Sequence, residues 1–147
     1  MSTPIHDLLL GDHARLDGLF DELESAAEAG AEAQTLRALW TRFEAVLRAH
    51  LAAEERELFP RLEDRHGVDV QELRAEHEQF RALLDRVGLE VDLHAVRAPA
   101  VQELIARLRA HADREDATVY LWADTETEGV GLLATLQALL AAATPGA

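Results

Sequence analysis

With 147 residues, 48% of them apolar, the chain is the size of one ordinary domain and has enough apolar matter to bury a core, which argues against a disordered chain. A formal charge of −14 repels phosphate backbones and anionic headgroups, so nucleic acid and membrane surfaces are not expected as partners. The lack of cysteine excludes disulfides, thiolate metal sites and a cysteine nucleophile.

Alanine and leucine dominate and β-branched residues are few, which favours helix. Thr3 is placed to cap the first helix, with Pro4 at its first helical position, where a missing N–H costs nothing. This start has neither a basic region nor a pure apolar run, so no signal peptide is expected. No later stretch is apolar enough to span a bilayer, and the expectation is a cytoplasmic protein. A break at Ala29-Gly30-Ala31 ends the first helix. The second runs from about Glu32 to Arg65, is kinked by Pro60, and stops at Gly67 as a C-cap. Asp69 and Glu72 have the spacing of a capping box that opens the third. The stretch Gly88 to Ala98 reads as the one long link, the fourth helix begins near Pro99, and a short fifth covers Val130 to Ala143. Short links between long helices force antiparallel neighbours. The predicted fold is all-α: an up-down-up-down four-helix bundle over about 3–126, with an extra C-terminal helix over 130–143, in a single domain of residues 1–147.

Steps of three and four residues trace the inner stripe of each helix. The stripes are Leu9, His13, Leu16, Phe20, Leu23; Leu36, Trp40, Phe43, Leu47, His50, Glu54; Val70, Leu73, His77, Phe80, Leu84, Val87; and Val101, Leu104, Leu108, His111, Glu115, Thr118, Trp122. Apart from Thr118, the polar interruptions are four histidines and two glutamates. A buried carboxylate without a partner costs several kcal/mol or is driven neutral. Two of them, each four residues after a histidine on the same helix face, are hard to explain as packing. At about 1.5 Å of rise per residue all six side chains can meet at one level of the bundle. Nitrogen and oxygen donors without sulfur suit iron, manganese or zinc. Two carboxylates among four imidazoles suggest two metals bridged by Glu54 and Glu115, with Glu57, Glu76 or backbone carbonyls holding the outer ring nitrogens.

The other candidates have blander readings. His6 lies toward the open end of the first stripe, His66 suits a helix end, and His94 falls in the long link. Glu55 and Glu57 are expected to face solvent. Trp40 and Trp122 read as core, and Tyr120, five residues past Glu115, as turned away from the metal stripe. The leucines of the fifth helix cover either the bundle or a partner copy, so the chain is expected as a monomer or homodimer.

Asp12-His13, His50-Leu-Ala-Ala-Glu54-Glu55 with Leu58-Phe59-Pro60, Glu76-His77-Glu78 and His111-Ala-Asp-Arg-Glu115-Asp116 together resemble the hemerythrin-like (HHE cation-binding) family over about the first 125 residues. The resemblance implies a non-heme centre of two iron ions, oxo- or hydroxo-bridged, held by His13, His50, Glu54, His77, His111 and Glu115. Such a centre handles O2, peroxide or nitric oxide, or senses iron, oxygen or redox state, as in a stress response. The oxygen-carrying members place two histidines four apart on the third helix, whereas here Leu73 and Arg81 flank His77 at that spacing. Their second carboxylate arm also has a longer spacing, to Asp. These departures point away from simple O2 carriage and leave a position for water, peroxide or a seventh ligand such as Glu57. A peroxidase- or catalase-like enzyme and a metal-stabilised regulatory module are the competing readings.

Overall fold

Pro4 opens the first helix, and the amides behind it find their partner far along the chain. The N–H groups of Ile5 and His6 donate to the two carboxylate oxygens of Asp124, both at 3.0 Å. Thr3 occupies the cap position, but its hydroxyl turns to Asp7 instead of to a backbone amide. In this computed structural model, which describes residues 3–127 and 129–142 (for 129 and 130 the backbone only), the helices are α1 (Pro4–Glu28), α2 (Ala33–Ala53), α3 (Phe59–Asp92), α4 (Ala98–Ala117), α5 (Val119–Trp122) and α6 (Gly129–Ala142). A π-helical turn, Glu54–Leu58, joins α2 to α3. No strand occurs among the described residues.

The expected break after α1 is a tight turn with Gly30 at φ +65°, a conformation that glycine adopts without steric cost. The kink expected at Pro60 takes the form of the π turn just before it, where the Phe59 N–H reaches back five residues to the Glu54 carbonyl. Such turns accommodate a local fault in the helical ladder and cluster at functional sites.

The expected break at His66-Gly67-Val68 is a kink between two helical stretches, and the one expected at Gly88 moves. The helix after Phe59 is not capped at Gly67, nor does a capping box start a new one at Asp69. Helical bonding continues through a bend centred on His66 (φ −127°, ψ 38°). The chain does reverse there, because Arg74 bonds back to Glu63 while His77 and Arg81 bond back to Glu55. Gly88, expected to begin a long link, lies inside α3. A Cβ there would stand 3.3 Å from Trp40 Nε1, so this glycine serves close approach of α2 and not a break. The link is consequently short, from Leu93 to Arg97.

α1 packs on α2 and α4, and α3 packs on the same two, which closes an up-down-up-down bundle. α6 lies across α1, α2 and the π turn and buries Leu132, Leu136 and Leu140 there. The core has two apolar blocks. One holds Leu16, Phe20, Phe43, Leu84 and Leu104; the other holds Leu9, Leu58, Phe59, Leu73 and Tyr120 together with the α6 leucines. His50, Glu54, His77, His111 and Glu115 are buried polar residues that belong to neither block.

Candidate metal centre

Each helix of the bundle contributes to one cluster because its apolar stripe carries polar residues at matching depth. All six side chains expected to form a site are brought together. Their donor atoms fall into two groups, His13, His50, Glu54 and Glu115, and Glu54, His77, His111 and Glu115. Within each group the donors lie within 4.8 Å of one another. Both glutamates belong to both groups, so two adjacent four-donor groups share two carboxylates.

The imidazoles are oriented alike. Nε2 of His13 lies 3.2 Å from Glu115, that of His50 3.4 Å from Glu54, and that of His111 3.2 Å from Glu115. Nε2 of His77 is 3.1 Å from that of His111. Every outer nitrogen meets a carboxylate. Nδ1 of His50 is 2.5 Å from Asp12, that of His13 3.0 Å from Asp116, that of His77 2.9 Å from Glu55, and that of His111 3.3 Å from Glu76. A carboxylate at the outer nitrogen fixes the tautomer that leaves Nε2 free to ligate and makes that nitrogen more basic. Arginines hold three of these carboxylates: Arg15 on Asp12, Arg81 on Glu55 and Arg114 on Glu76.

Of these partners only Glu76 was anticipated from the sequence. Glu55, expected in solvent, is only 20% exposed and serves His77. Glu57, suggested as a seventh ligand, pairs with Arg61 at the surface instead. Leu73, at the place of the missing histidine, is buried core.

Tyr120 is the clearest correction. It is fully buried, and its Oη donates to Glu54 Oε2 at 2.6 Å, with Nε2 of His13 at 2.8 Å and of His50 at 3.1 Å. The expected register assumed a continuous fourth helix. That helix breaks at Thr118 (φ −128°, ψ −94°), whose hydroxyl bonds back to the Arg114 carbonyl. The break rotates the next turn of chain, so that Val119, Tyr120 and Ala123 point inward. Trp122, expected in the core, is half-buried and stacks on His66 at 3.5 Å. His94 is exposed as expected, and His6 is outside both donor groups.

The electrostatics call for cations. Glu54 Oε1 and both oxygens of Glu115 are buried without a hydrogen-bond partner. Unmatched carboxylate oxygens are costly in an interior unless a cation balances them. In the metal-free chain, protons take that place. Burial pushes the His50 imidazole down, but Glu54 and Asp12 outweigh it and raise the group to about 10. For His77 burial likewise opposes the charge, and Glu115, Glu54 and Glu55 raise it to about 11. Burial would raise Glu115, yet His111, His13 and His77 hold it well below the usual carboxylate range. Burial, then the charges of Glu115 and Glu54, push the Tyr120 phenol well up, so it keeps its proton. Nitrogen and oxygen donors, unmatched oxygens and two shared carboxylates fit a pair of divalent cations.

The model of the hemerythrin HHE cation binding domain family matches residues 5–123. The chain belongs to this family. Its match takes in all six donors and Tyr120 and stops short of α6. No curated protein and no solved structure matches the chain. As a hemerythrin HHE domain with this cluster of histidines and glutamates, it is a metal-binding protein.

Proposed function

We propose that the protein is a non-heme di-iron protein whose centre binds or reacts with O2, peroxide or nitric oxide, in oxygen, redox or iron sensing or in a stress response. The observation that carries this reading is the pair of four-donor groups sharing both glutamates. One iron would take His13 and His50, the other His77 and His111, and Glu54 and Glu115 would serve both. Iron supplies the redox chemistry, because it exchanges single electrons with small oxygen and nitrogen ligands. Asp12, Asp116, Glu55 and Glu76 orient the imidazoles and hold the protons on their outer nitrogens. Tyr120 holds a proton on Oη against Glu54. No helix among the described residues is long and apolar enough to cross a membrane, and we place the protein in the cytoplasm.

A second reading, a peroxide-decomposing enzyme, is favoured by Tyr120, since its Oη puts an exchangeable proton beside the donors where an O–O bond would be cleaved. Anaerobic loading with ferrous iron, followed by air, tests the main reading. The near-ultraviolet and visible spectrum should change on exposure to air, and azide should perturb the oxidised form. A protein that takes up iron and shows neither response does not have this function. Turnover of hydrogen peroxide by that protein, lowered in Tyr120→Phe at unchanged iron content, would separate the enzyme from the sensor.

A further inference from the structure

A cavity of about 400 Å³ lies between α1, α2 and α4, and its inner end is formed by His13, His50, His111 and Glu115. Its walls include the buried apolar side chains Leu16, Phe20, Leu47, Leu51 and Leu108. Exposed Ala14, Asp17 and Asp113 line its rim, together with the partly exposed Arg109 and Asp116. It therefore leads from solvent to one side of the metal centre.

Size and charge narrow what fits. A molecule of two heavy atoms is comparable to one water, whose share of liquid volume is roughly 30 Å³. A cavity of about 400 Å³ is within the range of small-molecule sites, roughly 300–1,000 Å³. The space thus suits a ligand with a body, not a diatomic gas alone. The rim is acidic, and its one cation is engaged: Arg109 bonds Asp17 and Asp21, each at 2.8 Å, and lies over the Phe20 ring. A ligand whose body carries negative charge meets repulsion at this rim. A neutral molecule with an apolar tail and an oxygen-bearing head matches both the walls and the inner end.

We propose that this cavity binds an organic hydroperoxide, its peroxide end at His13, His111 and Glu115 and its apolar tail against Phe20 and the surrounding leucines. The assignment rests on the proposed peroxide chemistry of the centre. It adds a substrate class larger than hydrogen peroxide.

The test uses the full iron-loaded chain and the redox-inert probe 2-phenylpropan-2-ol, the alcohol counterpart of cumene hydroperoxide, in equilibrium dialysis. The expected result is saturable binding to the wild type, weakened at least tenfold in Ala112→Phe, which fills the cavity, and in Ala14→Phe at its exposed rim. Iron content should be unchanged in both. If the wild type holds iron and responds to azide but the alcohol does not bind, or both variants bind it as tightly as wild type, the cavity assignment is wrong and the di-iron reading stands. A wild-type chain that takes up no iron overturns the di-iron reading and the hydroperoxide assignment with it.

Discussion

The two halves of the centre share their carboxylates but differ in what surrounds them. Around His77 and His111 the walls are aromatic: Phe59 lies 5.2 Å from the His77 ring and Phe80 lies 5.0 Å from the His111 ring. The outer carboxylates there, Glu55 and Glu76, are pinned by Arg81 and Arg114, as Asp12 in the other half is by Arg15. Around His13 and His50 a phenol, Tyr120, reaches the centre, and the rim of the cavity begins beside His13. The cavity reaches His13, His50 and also His111 of the other half, so the phenol is what sets the first half apart. A near-symmetric ligand set thus becomes an asymmetric site through its second ring of contacts alone.

The largest expected effect comes from the shared residues. Glu54→Ala removes a donor from both halves, so iron content should fall from about two per chain to a small fraction of one. His77→Ala and His13→Ala each take a donor from one half and should leave about one tightly held iron. Elemental analysis of the three variants side by side checks this, and equal losses in all three would mean that the halves are not distinct.

Removing the metal exposes the comparison in a different way. His50 and His77 are raised in the folded metal-free chain to about 10 and about 11 from an ordinary 6.5. The folded state therefore binds more protons than the unfolded state between those values. Their contribution to stability is full below about pH 6.5 and is lost as pH rises through about 10 to 11. Thermal melts of the metal-free protein should show a falling midpoint from pH 7 to 10, with a much flatter profile once metal replaces the protons. A flat metal-free profile would contradict the charge arrangement of the cluster.

Smaller effects come from the outer carboxylates. Asp12→Asn and Glu55→Gln keep the shape but weaken the hold on one imidazole each, and metal affinity should drop by about 10–100-fold. Competition with a chelator should show the loss at one site only in each variant. The smallest change is Tyr120→Phe. Removing one buried hydroxyl should lower stability by about 0.5–1.5 kcal/mol at unchanged iron content, measurable by denaturant unfolding.

The six donors were legible in the sequence because they interrupt apolar stripes at helical spacing. Helix order and the reversal near His66 were legible for the same reason, since hydrophobic period and turn residues are local signals. What was hidden depended on contacts between helices or on a break in the period. Asp12 and Asp116 sit next to ligands in sequence, yet their partners lie on other helices, so no spacing rule relates them. Tyr120 was misplaced because the bend at Thr118 is not announced by glycine or proline. Gly88 misled in the opposite sense, marking a close approach to Trp40 where a break was expected.

The most direct test of the centre is an anaerobic titration of the metal-free wild-type protein with ferrous iron, followed by elemental analysis after gel filtration. Two tight equivalents per chain, falling to one in His13→Ala, are the predicted result. A single equivalent in the wild type, or none, would contradict a centre of two sites joined by Glu54 and Glu115.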